Sequence, residues 1–276
     1  MEQFSPWQRE MMLQHIAKFA VPLVQEVQGA STCGTASVLA VNGHHYLITA
    51  GHVLKELKEY PDGIGVPLGK SRAEAWTFGD GLHVMPVDYE RFDFGVFRID
   101  SPELTALIGQ HWRIIVPDDL GALSDNVERF VFAGYPTARS YSMGSHVESG
   151  LLSLFAPRYQ KATFDEVNRN KHSSVIPVDP TVDILVEYPD SFTGANGQQI
   201  ASIELAGISG SPVWAVRPDP MRLLVESPHQ RLQLVGIETS IKVGDYVRAK
   251  RWNLIATAFK QIDVSAAEEI ERCLAR

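Results

Sequence analysis

The sequence predicts an all-β protein, a sandwich or barrel with helices only at its two ends. Three observations predict it. Short runs rich in β-branched and aromatic residues recur from residue 35 onward, each bounded by Gly, Pro, Asn or Asp. Residues 36–41, Asn42-Gly43 and 44–49 carry a hairpin signature, because Asn-Gly supplies positive φ at both positions of a tight two-residue turn. Helical periodicity is confined to the chain's ends, and many short strands with few long helices close into sandwiches or barrels.

At the N-terminus, Ser5-Pro6-Trp7-Gln8 reads as a helix start: Ser as N-cap, Pro at the first helical position, Gln completing a capping box. Trp7, Met11, Met12, Ile16, Phe19 and Ala20 recur at helical spacing, and Pro22 lies beyond the helix end. After the hairpin, strands are expected at 75–78, 82–87, 94–99, 112–116 and 127–133. Gly134-Tyr135-Pro136 interrupts the series, which resumes near 149–154, 182–187, 200–204, 212–217 and 232–239. Residues 156–180 are polar without a period and read as a surface connection. Residues 249–262 and 265–274 read as helices, with Ser265 as a candidate N-cap.

Composition excludes several classes. The net charge is −8 with no Lys/Arg cluster, so no basic footprint for nucleic acid is present. No run approaches the roughly 18–20 apolar residues of a membrane span, and Met1-Glu2-Gln3 does not open a secretory leader. Cys33 and Cys273 stand near opposite ends, outside any metal-binding spacing. Both read as small buried hydrophobes in a reducing cytoplasm.

Three short motifs carry chemistry. His52 closes Thr49-Ala50-Gly51-His52, where small residues let another backbone approach the imidazole, a side chain suited to general-base work near neutral pH. Asp93 opens the apolar run Phe94-Gly95-Val96-Phe97, and a carboxylate at such a site needs a partner; the Nδ1–H of His52 would be one. Ser209 lies in Gly207-Ile208-Ser209-Gly210-Ser211-Pro212, where glycines permit φ > 0 and the amides of Gly207 and Ser209 can converge on one point. Alone, each motif also fits a bland role: strand-end histidine, turn acid, Gly/Ser loop. Together they supply a nucleophile, a base and the group that orients the base.

In this order, with separations of 41 and 116 residues, the segments resemble trypsin/chymotrypsin-like serine peptidases, whose motifs read TA-[AG]-H, D-[IF]-x-[VL] and G-D-S-G-G-P. The resemblance spans about residues 30–245, with Leu234-Val235-Gly236-Ile237 similar to the cleft strand that follows the serine and Gly134-Tyr135-Pro136 similar to a feature of bacterial members. It implies two packed six-stranded antiparallel barrels, over 30–120 and 121–248, after an N-terminal helix and lead-in (1–29) and before C-terminal helices (249–276). It also implies His52 as base, Asp93 as its orienter, Ser209 as nucleophile, Gly207 and Ser209 as oxyanion donors, and a protein or peptide substrate, with no metal or organic cofactor. Ile203, six before the serine, and Glu238 and Thr239 are the substrate-cleft candidates. An apolar Ile203 disfavours a simple preference for Arg or Lys, although Glu204 and Glu238 lie nearby in sequence and leave the preference open.

Two departures from the family pattern matter. Ile208 stands where many animal members carry an Asp that pairs with a new N-terminus after cleavage, and no activation-site sequence precedes the barrel. Activity without N-terminal cleavage is therefore expected. Ser211 replaces a glycine, where a small residue still fits. A catalytically dead scaffold and an esterase of the same residue order are the other readings; the α/β-hydrolase order, with Ser first, does not match.

Overall fold

The computed structural model describes residues 4–26, 30–59, 64–67, 75–77, 82–85, 87, 92–143, 146–169, 177–193, 199–202, 204–217 and 228–276. The first half of the chain supplies β1 (Val21–Glu26), β2 (Ala30–Val41), β3 (His44–Ala50), β4 (Ile64–Pro67), β5 (Ala75–Thr77), β6 (Leu82–Val84) and β7 (Phe94–Ile99). They form one antiparallel sheet in the order β5-β4-β1-β2-β3-β7-β6. The second half supplies β8 (Arg129–Gly134), a side hairpin of β9 (Ser140–Met143) and β10 (His146–Ser149), β11 (Leu152–Pro157) and β12 (Asp183–Glu187). It continues with the small pair β13 (Ser191–Thr193) and β14 (Gln199–Ala201), then β15 (Pro212–Val216), β16 (Leu232–Lys242) and β17 (Tyr246–Arg251). Six of these make the second antiparallel sheet, ordered β11-β8-β15-β16-β17-β12. It closes on itself, since Tyr159 N–H bonds the Leu185 carbonyl at 3.0 Å and Arg158, just past β11, bridges to Val186 of β12. Closure satisfies both edge strands. The fold is the all-β double barrel expected from the sequence, with the short β5 and β6 at the two ends of the first sheet.

The central strands of the two sheets are apolar on both faces, which explains strand runs such as Arg129-Phe-Val-Phe-Ala-Gly, whereas His83 and Val84 on the edge strand β6 are exposed. Phe130 and Phe132 enter the second barrel's own core, while Val131 and Ala133 join the core between the two halves. On β3, Leu47 faces the first barrel and Tyr46 and Ile48 face the shared core. The period-2 geometry of a strand sends alternate residues to opposite faces, and here both faces are covered.

The chain ends cross over. Helix α1 (Pro6–Ile16) packs against β8 and β11 of the second sheet, and Phe19 just beyond it stacks on Trp214 at 4.9 Å between ring centroids. Its start is the expected capping box: Gln8 N–H donates to Ser5 Oγ at 3.2 Å, and Ser5 N–H donates to Gln8 Oε1 at 2.9 Å. Met12 and Ile16 are buried, but Trp7 is 63% exposed, so it is not on the packed face assigned from spacing. At the other end, α5 (Trp252–Phe259) and α6 (Val264–Leu274) return to the first sheet. Tyr46 meets Phe259 edge-on and donates to Asp263 at 2.5 Å, and Asn42 in the hairpin turn donates to the Ser265 carbonyl.

Other elements differ from the sequence reading. Residues 102–111 form α3 (Pro102–His111), opened by Ser101 accepting from Leu104 N–H, a Ser-Pro start like that of α1. The strand expected at 112–116 reduces to a single bridge at Ile115. Val21–Glu26, read as lead-in, is an inner strand of the first sheet. Residues 246–251, assigned in part to a helix, are β17; its alternating charges are buried rather than solvated. Arg248 and Lys250 contact Asp183 of β12 at 2.6 and 2.8 Å, all three within 3% exposure. Asp263, not Ser265, caps α6, accepting from Ala266 N–H at 2.9 Å. The 156–180 connection contains a short helix, α4 (Phe164–Arg169). Cys273 is buried and free, and the side chain of Cys33 lies outside the described residues. No helix among the described residues is long and apolar enough to cross a membrane.

Candidate active site

Register places His52 beside Asp93. Strands β3 and β7 pair antiparallel with Ala50 opposite Phe94, so the end of β3 lies next to the start of β7. His52 follows Ala50 by two residues, on the first turn of α2 (Gly51–Glu59), and Asp93 immediately precedes Phe94. The His52 Nδ1 to Asp93 Oδ1 distance is 3.4 Å, a long contact by hydrogen-bond standards. The imidazole is half exposed and the carboxylate is 16% exposed. Asp93 adopts φ 53°, in the left-handed region that Asp tolerates better than most side chains; φ and the paired strand together turn it toward His52.

Ser209 reaches this point from the second half. Its carbonyl accepts from Thr35 N–H at 2.9 Å, and the Thr35 hydroxyl donates to the Gly207 carbonyl at 2.8 Å while accepting from Tyr135 N–H. Thr49, three residues before His52, donates to the Thr35 carbonyl at 2.7 Å. Thr35 thus ties the serine turn to both β3 and Gly134-Tyr135-Pro136, a role that nothing in its sequence context signals. Gly210, at φ +98°, sits against the Thr35 carbonyl and Thr49, where a Cβ would collide with both. The small residues before His52 make room for this backbone.

Two amides of the turn are left over. The Ala206 carbonyl accepts from Thr137 N–H at 2.6 Å, which aims the N–H of the same peptide unit, that of Gly207, the other way. The Ile208 carbonyl accepts from both the amide and the hydroxyl of Ser211, which likewise turns the Ser209 N–H outward. Among the described residues neither Gly207 N–H nor Ser209 N–H has an acceptor, whereas Ile208, Gly210 and Ser211 all do. Gly207 needs its φ of +96° for this, and a Cβ there would meet the Tyr135 carbonyl at 2.7 Å. Unpaired amides in one turn make a receptor for negative charge.

The remaining candidates are placed differently. Ile203 lies outside the described residues. Glu238 and Thr239 are fully buried, so neither forms an open cleft wall. Glu238 is locked to the serine turn by two backbone bonds of 2.8 Å, Gly210 N–H to its carbonyl and its own N–H to the Ser211 carbonyl. Burial first, and then the negative charge of Asp93, push its carboxyl well above the usual carboxylate range. The approach of the Ser209 hydroxyl works in the opposite direction, although neither carboxyl oxygen attains full hydrogen-bond geometry with any described residue. Ile208 is buried in the second barrel's core, so apolar packing occupies the place where an ion pair was excluded. Ser211 is buried against Gly134. His52 and Ser209 share no hydrogen bond. Among the described residues, no group of three His, Cys, Asp or Glu side chains is placed to hold a metal ion.

No family model and no curated protein matches the chain. Solved structures similar to it include a chain from a study of the coupled folding and binding of the Sesbania mosaic virus VPg protein (14% identity, 88% of this chain and 89% of that one, TM-score 0.44). They also include a thermostable serine protease, AL20, from an extremophilic microorganism (10% identity, 85% and 91%, TM-score 0.45). A third is the HtrA-type protease AlgW with a tripeptide (16% identity, 92% and 62%, TM-score 0.49). At these values no residue role is carried across from any of them.

Proposed function

We propose that this chain is a serine endopeptidase that cleaves peptide bonds through an acyl-enzyme on Ser209. The observation that carries the reading is the meeting, at one junction of the two barrels, of the His52–Asp93 pair with a serine turn whose Gly207 and Ser209 amides are unpaired. In the reaction Ser209 Oγ attacks the scissile carbonyl while His52 Nε2 accepts its proton. Asp93 holds Nδ1–H and stabilises the imidazolium that forms. The two amides receive the oxyanion, a contribution of about 10²–10³-fold per donor in other enzymes. His52 then protonates the leaving amine, and water releases the acyl group by the reverse path. The chain's own residues supply every group these steps use.

The second reading, an inactive scaffold of the same fold, draws on the missing His52–Ser209 hydrogen bond. A peptide-library digest separates the two. The purified chain is expected to cleave a restricted set of peptides, and Ser209→Ala to cleave none. Equal cleavage by both proteins, or none by either, contradicts the peptidase reading.

A further inference from the structure

Glu238 is a buried titratable group for which the mechanism above has no use. It sits in an apolar strand, both of its carboxyl oxygens are sealed from water, and among the described residues neither attains full hydrogen-bond geometry, the Ser209 hydroxyl being the group that approaches it. An unpartnered carboxylate in such a place is costly, so the group must carry a proton or find a counter-charge. Asp93 ahead of β7, with His52 on α2 against it, is the charge that acts on Glu238, and the buried charged side chains on the neighbouring strands are Arg248 and Lys250 on β17 and Asp183 on β12. The two cations are already committed: both bind Asp183, and Lys250 is also attracted by Asp93. Two carboxylates, Asp93 and Asp183, against Arg248 and Lys250 balance to zero. Ionising Glu238 would add an uncompensated charge beside Asp93.

Resting on the peptidase reading, we propose that Glu238 is a positioning residue that works as the neutral acid. Its carboxyl proton is directed to Asp93, which fixes that carboxylate on His52 while the Glu238 carbonyl oxygen faces the resting Ser209 hydroxyl. No bond is made or broken at Glu238. Its backbone bonds to Gly210 and Ser211 couple it to the serine turn, so one residue touches both halves of the site. The pH sense follows from the direction of the shift. A carboxyl raised by burial and by Asp93 stays protonated where a free one is ionised. The arrangement is therefore intact below the raised value and is lost as pH climbs through it.

The test combines two readouts on the full chain. In infrared difference spectra of wild type against Glu238→Gln at neutral pH, the carbonyl stretch of a protonated carboxylic acid is expected. It should persist in a Ser209→Ala background, and in Asp93→Asn it should disappear at lower pH, since the opposing charge is gone. In fluorophosphonate labelling, wild type is expected to lose rate on the alkaline side. Glu238→Ala should be slower by about tenfold or more at every pH, as for loss of a hydrogen bond to a charged group. Glu238→Gln keeps a donor and cannot ionise. It should restore the rate to within about threefold, without the alkaline fall. Absence of the carboxylic-acid band, or an alkaline fall unchanged in the Gln variant, overturns the proposal. A wild-type chain that takes no label overturns the enzyme reading instead, and the band with its dependence on Asp93 still decides where the proton lies.

Discussion

Gly210 has no room for a side chain. Its positive φ and the Thr35 carbonyl and Thr49 beside it exclude a Cβ, and the same backbone carries Ser209 to the first barrel. Gly210→Ala should cost at least about 2 kcal/mol in urea denaturation, from the conformational term and the collision together. Labelling of Ser209 should fall with it; a variant of wild-type stability and reactivity would show that the turn is not held as described. At this scale the sequence was informative wherever a residue type constrains chemistry or backbone. His52, Asp93 and Ser209 could be picked out by their neighbours, and Gly207 and Gly210 by the φ they permit. Glu238 was visible as a lone acid in Leu-Val-Gly-Ile-Glu-Thr but was assigned to a cleft wall. Its inward orientation follows from the pairing of β16 and the serine turn, which local sequence does not encode. Thr35 carried no signal at all, because its role lies in four long-range hydrogen bonds.

At the scale of elements, the hairpin at Asn42-Gly43 and the capping box of α1 were legible because both are local chemistry. Strand β17 was not. Tyr-Val-Arg-Ala-Lys-Arg has the polarity of a solvated segment, and the Asp183 carboxylate on β12, with the Pro177 carbonyl that accepts from Arg248, makes its burial tolerable. Breaking a buried ion cluster by removing one partner leaves charges without compensation, typically at about 3–5 kcal/mol. Asp183→Ala is expected to lose stability of that order in denaturant titrations, whereas exposed pairs such as Lys260–Glu271 should be worth little. A loss below about 1 kcal/mol for Asp183→Ala would mean that the trio is not the buried unit described here. Helix α3 shows the converse failure: its Ser-Pro start was present in the sequence, yet its neighbouring apolar run was read as strand.

At the scale of the molecule, the two chain ends strap the barrels together. Helix α1 lies on the second sheet, while α5 follows β17 and, with Asp263 and Ser265, reaches Tyr46 and Asn42 of the first, around a shared core in which Phe19 and Trp214 stack. The site sits at the junction this arrangement fixes, with His52 and Asp93 from one half and Ser209 from the other. Ile208 is already packed and, among the described residues, the Gly207 and Ser209 amides are already unpaired with α1 in place, so on the proposed reading no N-terminal cleavage is needed to form the oxyanion receptor. Strand spacing made an all-β sandwich or barrel legible, and the two-barrel architecture followed from the resemblance that the ordered motifs carry. The crossing of the ends was not, since it depends on contacts between residues far apart in sequence.

The most direct measurement is fluorophosphonate labelling of the intact, unprocessed chain, with the modified residue mapped by mass spectrometry. The account predicts a single adduct on Ser209, formed without prior removal of N-terminal residues and abolished in Ser209→Ala with the fold retained. Labelling that is undiminished in Ser209→Ala, or that appears only after the N-terminal helix has been cut away, would contradict it.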